Sequence, residues 1–167
     1  MSADEPAETS QIVVRRGGAQ DVRFLRDMLH HAYYWKERAP DAGPGPVALY
    51  VKAWGRVGDT AVIALDRGFP VGAAWYRLFE EDKPGYGFVD EKTPELSIAV
   101  VPLHRRKGIG EAVLRSCMVQ AREEGFQALS LSVAVHNRSR MMYQKAGFEK
   151  VAESGDGGDH WTMVANL

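Results

Sequence analysis

The sequence lacks the features that mark secreted and membrane proteins. It has one cysteine, Cys117, so no disulfide can form within the chain. No apolar run approaches the ~18 residues that a membrane-spanning helix needs. Residues 1–11 are polar and acidic, without the basic and apolar segments of a secretory signal. These absences predict a soluble, cytoplasmic protein with no membrane partner.

An excess of charge of one sign is also missing. The formal net charge is −1, whereas domains that bind nucleic acid through bulk charge are clearly basic. Cysteine and histidine do not recur at zinc-ligand spacing, and the adjacent His30 and His31 would diverge on a helix. We therefore expect no nucleic-acid partner and no metal site.

The length and the hydrophobic pattern predict one mixed domain. With 167 residues, 45% of them apolar, the chain can bury a core without disulfides or metals. We expect residues 1–10 to be a disordered leader and residues 11–167 to form a single domain. The periodicities and turn residues predict strands at about 12–15, 61–65, 71–79, 95–101, 128–135, 148–153 and 160–166, and helices at about 21–33, 47–55, 109–124 and 138–146.

The segment Arg105-Arg106-Lys107-Gly108-Ile109-Gly110 lies between a predicted strand and a predicted helix. Glycines there allow a tight turn and bring backbone N–H groups close to a ligand. The helix N-terminus adds unpaired N–H groups and a partial positive charge, and three basic side chains add full charges. Together these features predict an anion site suited to a pyrophosphate. A plain strand–helix turn with a solvated basic run is the alternative that these residues leave open.

Two other phosphate-binding motifs do not fit this segment. A dinucleotide fingerprint requires a third glycine, and Val113 occupies that position. A P-loop requires a lysine followed by serine or threonine after its last glycine, but Lys107 precedes both glycines. The segment is therefore neither a dinucleotide fingerprint nor a P-loop.

Two stretches of the chain resemble motifs of the GNAT superfamily of acetyltransferases. Arg105-x-x-Gly108-x-Gly110 fits the central signature of that family, and residues 95–102 are similar to the strand before it. Residues 137–148, Asn-Arg-Ser-Arg-Met-Met-Tyr-Gln-Lys-Ala-Gly-Phe, resemble its C-terminal helix motif, with the Asn and Tyr one position closer than is common. The resemblance implies an α/β (α+β) fold, a GNAT-like mixed, centrally splayed β-sheet of about six to seven strands flanked by about four helices.

The resemblance implies that the chain binds acetyl-CoA as a co-substrate and uses no metal. In family members the amides of the signature loop bind the CoA pyrophosphate, and the preceding strand pairs with the pantetheine arm. Carried over to this sequence, the cofactor-binding residues are Ala99, Val100, Val101, Arg105, Arg106, Lys107, Gly108, Ile109, Gly110, Asn137 and Tyr143.

Two catalytic residues follow from the same resemblance. Tyr143 matches the family's tyrosine near the thioester sulfur, whose phenol can protonate the leaving thiolate or hydrogen-bond to it. Glu95 begins the strand on which several members carry a catalytic glutamate, a general base for the amine. The structural alternatives are a core tyrosine and an exposed carboxylate at a strand end.

The acceptor site of family members is usually walled by the first two helices and the loop between them. In this chain that region holds His30, His31, Tyr33, Tyr34 and Trp35, whose aromatic rings suit an amine or cap the core. Three aromatic residues of the predicted hairpin are expected in the core instead: Phe69, Trp75 and Tyr76.

These observations predict an N-acetyltransferase that transfers an acetyl group from acetyl-CoA to a primary amine by direct attack in a ternary complex. The acceptor is a small molecule or a peptide that the sequence does not name. A non-catalytic acyl-CoA-binding sensor or regulatory domain is the alternative function, and a structural protein with the same fold is the third. Homodimers are common in the family, so a homodimer is one assembly that the resemblance allows.

Overall fold

The computed structural model describes residues 11–33 and 49–167. These residues form one seven-stranded sheet with three α-helices, which confirms the predicted mixed fold with one helix fewer than expected. The strands are β1 (Ile12–Arg16), β2 (Thr60–Asp66), β3 (Phe69–Arg77), β4 (Glu95–Val100), β5 (Ala128–Ala134), β6 (Glu149–Ser154) and β7 (His160–Asn166). The helices are α1 (Val22–Tyr33), α2 (Ile109–Glu123) and α3 (Ser139–Lys145).

The sheet has the strand order β1-β2-β3-β4-β5-β7-β6. Strands β4 and β5, which α2 connects, are parallel, and all other neighbours in the sheet are antiparallel. The β4–β5 pairing has a single register pair, Glu95 with Ser130, whereas β3 follows β4 along its whole length. The sheet is therefore open at its centre, as the expected splay requires.

Each face of the sheet carries its own apolar cluster, because successive side chains of a strand point to opposite faces. One cluster joins Leu96 and Leu131 of the sheet to Leu114 of α2. The other joins Trp75 of β3 to Leu25 of α1. The two helices thus cover opposite faces, and the opening between β4 and β5 lies between them.

The helix expected at 47–55 is wrong over its described part. Residues 49–50 form a 3-10 turn and residues 51–53 a turn, while residues 47 and 48 lie outside the described residues. Ala53 and Gly55 have φ values of 52° and 111°, in the left-handed region that a right-handed helix does not contain.

A buried ion pair explains why this segment is a turn. Arg77 and Asp59 are joined by two hydrogen bonds of 2.8 and 2.7 Å, and both side chains are 1% exposed. Nη1 of Arg77 also donates to the backbone carbonyls of Leu49 and Lys52, at 2.8 and 2.6 Å. Carbonyls that an α-helix would use for its own bonds thus accept tertiary bonds here, and they fix the turn with Tyr50 against β3.

The expected hairpin of β2 and β3 is present, with Asp66 paired to Phe69 beside the turn. Trp75 and Tyr76 are buried as predicted, but Phe69, at the turn end of the hairpin, is 74% exposed. In the part of the chain that the structure describes, no helix is long and apolar enough to cross a membrane.

Candidate active site

A cleft of about 1220 Å³ opens where β4 and β5 separate. Residues 96–100 of β4 and 132–134 of β5 form its sides, and the starts of α2 and α3 form its ends. Beyond Glu95, β4 has no register partner on β5. Backbone N–H and C=O groups that a neighbouring strand would satisfy are therefore available to a ligand.

The loop that leads into α2 has a backbone shaped for an anion. Arg106 and Gly108 have φ values of 64° and 79°. Left-handed residues spaced in this way turn successive N–H groups toward one side and form an anion-binding concavity. No N–H group of residues 106–111 donates a hydrogen bond to another described residue. These free donors, at the N-terminus of a 15-residue helix, support the anion site that the sequence predicts.

Basic side chains line this end of the cleft. Arg105 and Arg106 both face it, and Nε of Arg105 donates to the carbonyl of Val100 at 3.2 Å. His31, at the end of α1, also lines the cleft. Burial, together with the charge of Arg105, lowers the pKa of His31 and favours its neutral imidazole. The two arginines therefore bring positive charge to this end of the cleft.

Three of the expected cofactor-binding residues have side chains outside the cleft: Val101, Lys107 and Ile109. Ile109 is 1% exposed and packs on β3 so closely that a Cβ on Gly72 would lie 3.0 Å from it. Its side chain anchors the loop to the core. Ala99, Val100, Gly108 and Gly110 line the cleft.

Tyr143 lines the cleft from α3 and is 8% exposed. Its ring packs edge-on against Phe148, with centroids 5.9 Å apart. Burial raises the pKa of its phenol, and no hydrogen bond or charge of the described residues contributes to that shift. The phenol therefore keeps its proton at neutral pH and can donate it into the cleft.

Asn137 also lines the cleft and has a structural task. Its Oδ1 accepts a hydrogen bond at 2.9 Å from the N–H of Ser139, the first residue of α3. The side-chain oxygen thus accepts a hydrogen bond from a backbone N–H group at the start of α3 that has no partner within the helix. The amide nitrogen of Asn137 is the part of this side chain that remains for a ligand.

Glu95 is placed differently from what the sequence suggests. It is 1% exposed and does not line the cleft. Oε2 accepts a hydrogen bond from the hydroxyl of Tyr50, and Oε1 accepts one at 2.8 Å from the N–H of Gly87. Burial raises the pKa of Glu95 to about 7, although both hydrogen bonds act to lower it. The carboxyl group can therefore exchange a proton near neutral pH.

The segment 85–88, where no strand or helix is predicted, lies between Glu95 and the cleft. A Cβ on Gly85 would lie 2.5 Å from Oε1 of Glu95, so no side chain fits there. Tyr86, the next residue, lines the cleft and is 50% exposed. The pattern Gly85-Tyr86-Gly87 was the available signal, since paired glycines mark a backbone that approaches its neighbours closely.

Other lining residues were also missed by the sequence analysis. Ser97 lies two positions after Glu95 on the same face of β4, and its buried hydroxyl has no partner among the described residues. Ser132 faces it from β5. His104 lies beside the signature loop, with Nε2 3.2 Å from a carboxylate oxygen of Asp66. A strand pattern predicts which face these residues share but not that the face opens on a cleft.

The expected acceptor wall is described only in part. His31 lines the cleft and His30 does not. Tyr34 and Trp35 lie outside the described residues, as does the side chain of Tyr33. Within residues 11–33 and 49–167, no group of three His, Cys, Asp or Glu side chains could hold a metal ion.

The cleft fits the co-substrate that the sequence resemblance implies. Free N–H donors and two arginines at one end suit a pyrophosphate, and the unpaired edge of β4 suits the amide-containing arm that follows. Gly110 lies beside α3, where a Cβ on it would be in ordinary van der Waals contact with the sulfur of Met142 at 3.5 Å.

A curated protein of known name matches part of this chain. It is the ribosomal protein bS18-alanine N-acetyltransferase of Haemophilus influenzae, 36% identical over 63 residues. The match covers 38% of this chain and 42% of the relative, so it spans less than half the length of either protein.

The fold is similar to solved acetyltransferase structures over nearly the whole chain. The ribosomal-protein-alanine N-acetyltransferase from Brucella melitensis has a TM-score of 0.67 at 23% identity, with 93% of this chain and 99% of that chain covered. The structure of yncA from Salmonella typhimurium, with its cofactor acetyl-CoA, has a TM-score of 0.69 at 22% identity, with 93% and 94% covered. The PaiA N-acetyltransferase from Thermoplasma acidophilum, in complex with coenzyme A, has a TM-score of 0.64 at 16% identity, with 94% and 99% covered.

These likenesses concern the fold, and a separate match concerns the family. Residues 23–148, most of the chain, match the model of the Acetyltransferase (GNAT) family. This range contains the open pair β4–β5, the signature loop and Tyr143. The chain therefore belongs to the acetyltransferase (GNAT) family.

Proposed function

We propose that this protein is an N-acetyltransferase that transfers the acetyl group of acetyl-CoA to a primary amine by direct attack in a ternary complex. One observation carries the proposal: the free N–H groups of residues 106–111 and the side chain of Tyr143 open on the same cleft, between the separated strands β4 and β5.

Different residues of the cleft bind different parts of acetyl-CoA. The amides of residues 106–110 hold the pyrophosphate, and Arg105 and Arg106 neutralise its charge. Of residues 99–101, Val100 directs its backbone to the free edge of β4 and pairs with the pantetheine arm. The N–H of Val101 donates instead to the carbonyl of Val71 on β3 at 2.9 Å, and the hydrogen-bonding side alternates along a strand. The side-chain amide nitrogen of Asn137 donates a further hydrogen bond, since its oxygen is engaged by Ser139.

The bound co-substrate supplies an acetyl group activated as a thioester. The amine nitrogen attacks the acetyl carbon, so a C–N bond forms as the C–S bond breaks. Tyr143 donates its proton to the departing sulfur, and its burial suits this role because the raised pKa keeps the phenol protonated. Glu95 takes the proton that the amine loses.

Proton transfer to Glu95 crosses a thin layer of protein, because the carboxylate is 1% exposed and lies behind Tyr86. Ser97 lies two positions after Glu95 on the same face of β4; it lines the cleft, and its buried hydroxyl has no partner among the described residues. We infer that a water molecule at Ser97 carries the proton from the amine to Glu95. A carboxyl group with a pKa of about 7 is matched to this task at neutral pH.

The acceptor in this proposal is the primary amine of a small molecule or a peptide. The name of the Haemophilus influenzae relative contains a ribosomal protein and its alanine, which makes a peptide that begins with alanine the first acceptor to test. Spermidine and free lysine represent small amines in the same panel.

The test measures acetyl transfer directly. The protein is incubated with acetyl-CoA and each amine. The CoA thiol that is released is measured with a colorimetric thiol reagent, and the acetylated product is identified by mass spectrometry. The control is the Gly108→Trp, Gly110→Trp double variant, whose binding of acetyl-CoA is measured by calorimetry together with that of the native chain.

Each outcome has a defined meaning. Acetylated product with the native chain and none with the folded double variant supports the proposal. Binding of acetyl-CoA without product on any amine favours the sensor or regulatory alternative. Absence of binding by the native chain contradicts both functions.

A further inference from the structure

We propose that Tyr50 is a positioning residue for acetyl transfer: its hydroxyl holds the Glu95 carboxylate in place and stabilises its ionised form. The proposal rests on the proposed function in one respect, the role of Glu95 as the proton acceptor. It adds a residue that no motif indicates and that lies 45 positions away in the sequence.

The hydroxyl of Tyr50 has a defined direction. It donates to Oε2 of Glu95 and accepts a hydrogen bond at 2.8 Å from the N–H of Tyr86. An oxygen that accepts the amide proton presents its own proton elsewhere, and the carboxylate is the acceptor in contact with it. Tyr50 is 1% exposed, so bulk water does not compete for this bond.

The rest of Tyr50 is fixed by packing. Its ring meets Phe79 edge-on, with centroids 5.2 Å apart, and stacks on Tyr86 at 6.4 Å. Its backbone carbonyl accepts a hydrogen bond at 3.2 Å from Nε1 of Trp75. The turn that carries Tyr50 is also tied to Arg77 through the neighbouring carbonyls. A donor held on so many sides loses little entropy when it binds the carboxylate.

Three elements around Glu95 each bring one titratable group among the described residues. The turn brings Tyr50, the segment 85–88 brings Tyr86, and β3 brings Arg77, the register partner of Glu95. The guanidinium of Arg77 is engaged with Asp59 and with backbone carbonyls. Strand β5 contributes Ser130, which is uncharged. Tyr50 is therefore the side chain of the described residues that acts on Glu95 by a hydrogen bond.

Removal of the Tyr50 hydroxyl should change the protonation of Glu95 in a predictable direction. Burial favours the neutral carboxylic acid, and the hydrogen bonds from Tyr50 and Gly87 favour the carboxylate. When the first of these donors is removed, the balance moves toward the neutral acid, and the carboxyl group is free to rotate. A neutral Glu95 cannot accept a proton, so activity should require a higher pH.

The test compares Tyr50→Phe with Tyr76→Phe. Tyr76 is also buried and donates to a carboxylate, Oε2 of Glu124 at 2.7 Å, but it lies on the opposite face of the sheet and outside the cleft. Two quantities are measured at a series of pH values: kcat/KM for acetyl transfer, and the chemical shift of the Glu95 side-chain carboxyl carbon by nuclear magnetic resonance.

In Tyr50→Phe we expect the acid limb of kcat/KM and the titration of Glu95 to move up by about one pH unit. In Tyr76→Phe both should stay in place. The carboxyl resonance of Glu95 is assigned as the one that is missing from the spectrum of Glu95→Gln. If a folded Tyr50→Phe variant shows neither shift, the inference is wrong.

A second variant covers the case in which Tyr50→Phe does not fold. A difluorinated tyrosine incorporated at position 50 keeps the ring and the hydroxyl and makes the hydroxyl a stronger donor, so the titration of Glu95 should move to lower pH. An unmoved titration contradicts the inference. If the native chain transfers no acetyl group, the proposed function fails, and the carboxyl resonance alone decides whether Tyr50 controls Glu95.

Discussion

Gly87 lies so close to β5 that a Cβ on it would come within 2.5 Å of the carbonyl carbon of Leu131. The N–H of the same glycine donates to Oε1 of Glu95, at the start of β4. One residue therefore bridges the two strands at the point where the sheet opens. It closes the space above Glu95 and leaves Tyr86 at the wall of the cleft.

Gly87→Ala tests this bridge. The new methyl group has no room against the backbone of β5, so we expect the segment 85–88 to move and the free energy of unfolding to fall by about 1–3 kcal/mol. Since the signature loop is untouched, affinity for acetyl-CoA should change little while kcat/KM for the amine drops. Urea denaturation, calorimetry and steady-state kinetics measure the three quantities.

Gly18→Ala is the matched control for that variant. Its Cβ would come within 2.4 Å of Oε1 of Gln20, the far end of an exposed and flexible side chain that can move away. We expect both stability and activity to be retained. Equal losses in Gly18→Ala and Gly87→Ala would contradict the bridge.

Gly108→Ala tests the anion cradle. Its Cβ would meet no atom within 4 Å, so the strain comes only from the φ of 79°, which costs an L-residue roughly 1–2 kcal/mol. A loop that relaxes out of this conformation turns its N–H groups away, and we expect the Kd for acetyl-CoA to rise about tenfold. Calorimetric titration with acetyl-CoA measures the change.

Gly125→Ala provides the comparison, because Gly125 has a φ of 91° and also no atom within 4 Å of its Cβ position. It follows the other end of α2, away from the cleft. The two variants should lose similar stability, but only Gly108→Ala should lose affinity. If both variants lose affinity for acetyl-CoA, the loop has no specific role in binding it.

Tyr143→Phe removes the proposed proton donor and keeps the ring that packs on Phe148. We expect kcat to fall by about a hundredfold with little change in the Kd for acetyl-CoA. Because burial raises the pKa of this phenol above its ordinary value, Tyr143 should cause no loss of activity on the alkaline side below about pH 10. Tyr76→Phe, which also loses one buried hydroxyl, should keep its turnover. An unchanged kcat in Tyr143→Phe would remove the tyrosine from the mechanism.

The pH dependence of stability tests the state of Glu95. Its pKa is raised to about 7 in the folded protein, against about 4.3 for an unperturbed glutamate, so the folded state binds more protons between these values. The free energy of unfolding should therefore fall as the pH rises through this window. Glu95→Gln should lack that fall, so its stability relative to the native chain should improve by about 3 kcal/mol from pH 4 to pH 8.

Urea denaturation at pH 4, 6 and 8 makes this measurement, with Glu123→Gln as the control because Glu123 is exposed at the end of α2. The control should follow the native chain at every pH. Parallel curves for the native chain and Glu95→Gln would show that burial does not raise the pKa of Glu95.

The seven strands and the helices α1, α2 and α3 were predictable because their signals are local. The apolar spacing of α2, the glycines after α2 and α3, and the basic glycine loop each lie within a few residues, and the same residues form the structure. The turn after residue 49 differs from the predicted helix because of residues far away in the sequence. Arg77 and Asp59 bind carbonyl and N–H groups that a helix would have paired internally.

The sequence by itself determined the order of the seven strands and of helices α1, α2 and α3, and it carries the family resemblance, since each depends on neighbouring residues and on backbone conformation. The anion site at the start of α2 stays a prediction from the same local signals. Only the tertiary structure decided the environment of Glu95. Its burial, its bond to Tyr50 and its cover by Gly87 join segments that are far apart in the chain or packed across two strands. Desolvation depends on all atoms around a group, and no spacing of residues along a sequence reports it.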